Sequence, residues 1–174
     1  RRGDPSRKAG VDRFVKAGEI MAGVDIANVT HKELFNLISR SGVPISRNAT
    51  SASIVFEGVR PGDDPSGTVM WSLVGSHCTG IYIPVRVGDK DTVPSFLKDS
   101  EENENCMICD LSLIVKKLYG YAEGISQDCR KVEEFVDSKY DAGMSEKAYS
   151  KYAEKAFKKY RKVCLKKISE KSAI

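Results

Sequence analysis

Residues 69–85 read VMWSLVGSHCTGIYIPV. Two apolar runs, 69–74 and 81–85, are separated by a stretch that opens on Gly75 and closes on Gly80. Short apolar runs rich in Val, Ile and Trp and bounded by turn formers read as strands. So short a connection makes the two strands antiparallel neighbours. Pro84 has no N–H for a ladder hydrogen bond, so the second strand is expected at a sheet edge or at a bulge. Upstream, Ala52, Ile54 and Phe56 alternate with Ser51, Ser53 and Val55, which is the period of a third strand. Between them RPGDDPSG (60–67) is dense in turn formers and reads as an exposed loop.

Helices are expected on both sides of these strands. Val11, Phe14, Val15, Gly18, Met21 and Ala22 recur at helical spacing, and Gly23 is a plausible stop. Thr30-His31-Lys32-Glu33 is a capping box that starts a short helix through Leu34, Leu37 and Ile38, ended at 41–44 (SGVP). After the strands comes an acidic loop, then an apolar stripe of Ile108, Leu111, Val115, Leu118 and Tyr119. Val132, Phe135 and Val136 form a second stripe, on a helix opened by Ser126. Ser145 can cap a long last helix, with Tyr149, Tyr152, Ala153, Ala156, Phe157, Tyr160 and Cys164 on one face. The order is helix, helix, three strands, three helices. The fold class is therefore α+β, an antiparallel sheet flanked by helices. Residues 1–105 are expected to form the core and 106–174 a helical extension packed on it.

The chain has 174 residues, 41% hydrophobic and 30% charged, which reads as globular. No apolar run approaches the roughly 20 residues of a membrane span, and no membrane partner is expected. The chain opens at Arg1 rather than Met, so an upstream segment is expected. Five cysteines at irregular spacing read as reduced thiols in the cytoplasm rather than a disulfide framework. The net charge of +4 is segregated: residues 142–174 carry ten Lys/Arg against three Glu, and 88–110 carry seven Asp/Glu against two Lys.

Four features could carry chemistry. Cys106 and Cys109 form a CxxC, but zinc takes about four ligands and no second pair is present. A redox CxxC should open a helix after a strand, and an acidic loop is expected here instead. His77-Cys78 lies in the turn between two strands, where adjacent side chains point apart. The lysines of the last helix, Lys151, Lys155, Lys158, Lys159, Lys162 and Lys166, could neutralise phosphates. Their tyrosines fall on the apolar stripe instead of interleaving as stacking platforms, so nucleic acid is not the expected partner. The last stretch is 1–17, RRGDPSRKAGVDRFVKA, where Arg13 is a cation near a helix start, slightly unfavourable against the helix dipole. No cofactor and no metal are expected.

Several of these stretches together resemble the C-terminal half of cysteine N-terminal-nucleophile hydrolases. The nearest groups are the choloylglycine hydrolase/penicillin acylase, isopenicillin-N acyltransferase-like and dipeptidase families. Gly3-Asp4-Pro5-Ser6 followed by Arg13-Phe14-Val15-Lys16-Ala17 is similar to a stretch of the first group. THKELFNLISR (30–40) and the strand 50–56 look like those of the other two, as does the Trp71…Gly75…Tyr82…Pro84 hairpin. The resemblance implies a four-layer sandwich of two antiparallel sheets between helices. It implies amidohydrolase or acyltransferase chemistry on non-peptide or short-peptide amide bonds. The nucleophilic Cys would be exposed by self-cleavage upstream, with Arg13 beside it as the one catalytic residue in this chain. The expected partners are the upstream half, a small amide substrate and further copies in an oligomer; alone, the segment should be inactive. The alternative is a non-catalytic α+β binding module whose basic C-terminal helix meets an acidic partner or nucleic acid.

Overall fold

The computed structural model describes residues 8–40, 42, 44–46, 49–86, 93–100, 103–120 and 123–172. Residues 3–6, Val43 and Val87 lie outside them. The chain divides into two compact units, Arg1–Thr50 and Ser51–Ile174.

The first unit contains α1 (Lys8–Ala22) and α2 (His31–Leu34), which runs directly into a π-helical turn, Phe35–Ser39. The capping box forms as its sequence requires. Thr30 Oγ1 accepts from the Glu33 amide at 3.3 Å, and Glu33 Oε2 accepts from the Thr30 amide at 2.8 Å. These hydrogen bonds, the backbone one first, hold the Glu33 carboxyl below the usual carboxylate range. The apolar stripe of α1 is in solvent: Val11 and Val15 are exposed, and Phe14 is 68% exposed.

The second unit holds the sheet and the three C-terminal helices. β1 (Ala52–Glu57), β2 (Val69–Val74) and β3 (Ile83–Arg86) form an antiparallel sheet in the order β1-β2-β3. The register sets Val55 opposite Trp71, and Trp71 opposite Pro84. Pro84 therefore occupies an edge strand, where its missing N–H breaks no ladder on the outer side. β3 starts later than its alternation predicts, because Ile81 and Tyr82 belong to a buried loop before it. β2 and β3 are largely buried, with Trp71, Leu73, Ile83 and Val85 all in the core. β1 is different. Ile54 is 52% exposed and Phe56 63%, while Ser53 and Val55 on its other face are half-buried.

The acidic segment before the helices is not all loop. It contains a short hairpin, β4 (Asp99–Ser100) and β5 (Asn103–Cys106), with a bulge near Asp99. Backbone pairing makes it, and its polar composition leaves no alternation for a sequence reading to detect. Three helices follow: α3 (Met107–Tyr119), α4 (Glu123–Lys139) and α5 (Glu146–Ser172). α4 begins three residues before Ser126, which is buried inside it. The reason is the stripe Ile125, Cys129, Val132 and Val136, buried throughout, which extends the helical face a turn earlier than a Ser cap would. Ser145 does cap α5, accepting from the Ala148 amide. All seven apolar residues expected on the inner face of α5 are buried. No described helix is long and apolar enough to cross a membrane.

The loop between β2 and β3 is the most enclosed segment. Ser112 on α3 accepts from the Ser76 amide at 2.8 Å, and its carbonyl accepts from Thr79 Oγ1 at 2.7 Å. Tyr160 OH donates to the Thr79 carbonyl at 2.6 Å, and Cys129 Sγ approaches the same oxygen at 3.4 Å. α3, α4 and α5 thus all meet one loop. Gly75 begins it at φ +102, and a Cβ there would stand 2.6 Å from Ser112 Cβ. Both the backbone and the space exclude a side chain. Gly75→Ala is expected to lower the unfolding free energy by about 2–4 kcal/mol in urea denaturation. An unchanged midpoint would show that this loop is not held against α3.

Candidate functional site

Arg13 stands on the exposed surface of α1, and its Nη2 donates to the Ile45 carbonyl at 3.2 Å. Among the described residues that is one hydrogen bond from a group with five N–H donors. Within the same unit an open cavity of about 610 Å³ is lined by Ile20, Val24, Asp25, Val29, Glu33 and Leu37, without Arg13. Its two carboxylates are committed to local backbone. Asp25 accepts from the Ala27 amide and the Asn28 side chain, and Glu33 closes the capping box.

Cys106 and Cys109 are brought together at the junction of β5 and α3, with Cys106 at the N-cap. This corrects the expected loop: the pair does open a helix after a strand. Both residues are buried, and burial, then the neighbouring Cys106 and Asp110, push the Cys109 thiol up, which makes Cys109 a poor nucleophile near neutral pH. No group of three or more His, Cys, Asp or Glu that could hold a metal occurs among the described residues.

His77 and Cys78 lie in the loop that Ser112 pins, His77 buried and Cys78 half-buried. The Ser112 hydroxyl and carbonyl, the Cys129 thiol and the Tyr160 phenol hold that loop in place. Beside it, Trp71, Tyr140, Tyr149 and Tyr152 make a chain of ring contacts 5.6–6.1 Å between centroids. Arg86 sits 5.3 Å over the Tyr149 ring, and Trp71 Nε1 donates to Glu57. Burial pushes the Tyr149 and Tyr152 phenols well up, and each donates to a backbone carbonyl, of Pro84 and Val136. They are structural donors held neutral.

The lysines singled out on α5 are all exposed. Three of them meet α4 around an open groove of about 330 Å³ that includes Phe135 and Val163. Sequence reasoning named the lysines and Phe135 separately but missed the groove, because only the pairing of α4 with α5 brings them together. No family model, curated protein or solved structure matches the chain.

The buried thiols and phenols give the fold a pH dependence. Burial pushes the Cys164 thiol up to about 11 from 9.0, and burial likewise raises Tyr149, Tyr152 and Tyr160. The folded chain holds these protons more tightly than the unfolded chain. Their contribution to stability is complete below pH 9 and is lost as pH rises through about 11. Urea midpoints are expected to be flat from about pH 7 to 8.5 and to fall steadily above pH 9. In the native state at pH 8, iodoacetamide should label Cys78 and spare Cys109 and Cys164. Rapid labelling of Cys109 would contradict the protonation argued above.

Proposed function

We propose that this chain is the C-terminal part of a self-processing cysteine amidohydrolase or acyltransferase, acting on non-peptide or short-peptide amide bonds. The single observation that carries this reading is the apolar surface each unit leaves in solvent. On α1 it is Val11, Phe14 and Val15; on the edge strand β1 it is Ile54 and Phe56. An exposed edge strand with apolar side chains is a template for further pairing, and proteins that fold alone avoid it. A sheet of three strands with one bare apolar flank is what half of a two-sheet sandwich would present to the layer that completes it. The antiparallel order β1-β2-β3 and the helices beyond it agree with that architecture.

In this reading Arg13 is the residue that reaches the chemistry. Its guanidinium, with five N–H donors, donates to the Ile45 carbonyl. A cation beside an incoming N-terminal Cys lowers the thiol pKa and raises the thiolate fraction. The α-amino group of that Cys takes the thiol proton and gives it to the departing amine as the amide C–N bond breaks and the acyl group passes to sulfur. Water or an amine, losing a proton to the same base, then takes the acyl group and frees the thiol. The partners are the upstream half, which brings the nucleophile, and a small amide substrate; the complete enzyme is an oligomer in this reading.

Denaturing mass spectrometry of the native particle is expected to reveal a second polypeptide beginning with Cys. A single species with the mass of the 174-residue chain removes the hydrolase reading. In the complete enzyme, Arg13→Ala should lower kcat/KM by about tenfold or more and move the acidic limb of the pH–rate profile upward. The unfolding midpoint should stay where it was, since Arg13 is exposed. Full activity with an unmoved profile would end the role given to Arg13.

A further inference from the structure

The groove between α4 and α5 combines two properties that neither helix has alone. Its floor is apolar: Val132 is buried, and Phe135 and Val163 are half-buried. Its rim is cationic. Lys131 stands on the α4 side, and Lys159, Lys162 and Lys166 stand on the α5 side. The one carboxylate in the lining, Asp128, is engaged by Lys131 at 3.6 Å and by Lys167 at 3.4 Å, and Lys166 pairs with Glu170 at 3.9 Å. Among the described residues Lys159 and Lys162 form no ion pair. Lys159 instead rests its ammonium 4.5 Å over the Phe135 ring, with Lys155 at 5.6 Å. Cation–π contact is a weak use of two lysines on a surface. They can swing aside and expose the ring.

We propose that this groove docks an acidic amphipathic helix of a partner protein, with its apolar side chains on Phe135, Val132 and Val163 and its carboxylates on the lysine rim. The spacing argues for a helix. Lys159, Lys162 and Lys166 are three and four residues apart, one per turn. A helix lying alongside presents acidic residues at the same period, about 5.4 Å. An apolar strip between two packed helices is also the usual bed for an amphipathic helix. The chemistry disfavours other anionic partners. Nucleic acid would use the charge and leave the apolar floor idle, and the α5 tyrosines that could stack on bases are buried. A flat anionic bilayer needs apolar residues that stand above the charged heads, and here they lie beneath them.

The test uses the full chain and a labelled synthetic peptide with Leu at helical spacing and Glu between. A control peptide carries the same Glu residues, with Ser in place of Leu. Fluorescence anisotropy at low salt should show binding of the Leu/Glu peptide that weakens as salt is added. The double variant Lys159→Glu/Lys162→Glu should weaken it by about tenfold or more. Phe135→Ala should weaken it separately, with circular dichroism unchanged. If Phe135→Ala disturbs the fold, the exposed lysine pair still decides. Equal binding of the Ser control, or unaltered binding by the lysine variant, overturns the proposal. So does retention of duplex DNA or phosphatidylserine vesicles by a chain that ignores the peptide.

Discussion

The buried Ser112 hydroxyl and carbonyl tie the β2–β3 loop of the second unit to α3. They satisfy the Ser76 amide and the Thr79 hydroxyl, both on buried residues of the β2–β3 loop. Loops are usually at the surface because their backbone groups need partners. This one is enclosed because α3 supplies partners and because Tyr160 and Cys129 converge on the Thr79 carbonyl. Gly75 permits the approach, since any Cβ would meet Ser112. Leaving such a donor buried without its acceptor costs about 1–3 kcal/mol. Docking of the three helices therefore stabilises the enclosed loop.

Outside this pinned centre, the chain treats its two kinds of surface unevenly. α5 buries a full apolar stripe and keeps its lysines in water, and the stacked rings of Phe96 and Phe157, 4.5 Å apart, secure the segment that packs on it. α1 and β1 leave apolar side chains uncovered. The first arrangement is that of a finished interior; the second leaves the apolar surface that the upstream half proposed above would cover.

Much of the fold was legible in residue spacing. The stripe from Tyr149 to Cys164 repeats at helical period over several turns, and all of its members are buried. The Thr30–Glu33 box and the Ser145 cap depend on residues within four positions of each other, so local sequence suffices. Three features were not legible, each for a physical reason. The β4–β5 hairpin is made by backbone pairing in a polar segment. The start of α4 was set by burial of Ile125 and Cys129, which outweighed the cap signal of Ser126. The loop's hydrogen bonds join residues 33 to 81 positions apart, which no periodicity encodes. For the site the limit is similar. Arg13 could be named from a motif, whereas the α4–α5 groove exists only after Phe135 and Lys159 are brought face to face.

The bond from Tyr160 to Thr79 also orders events during synthesis. The strands and their connecting loop leave the ribosome well before α5 is made, and the Thr79 carbonyl waits for a phenol 81 residues downstream. At about 5–20 residues per second, that interval is on the order of 4–16 s. Over that time the nascent sheet has backbone polar groups without their final partners and the apolar faces of Ile81 and Ile83 still wet. A pause in translation within α5 would lengthen that exposure.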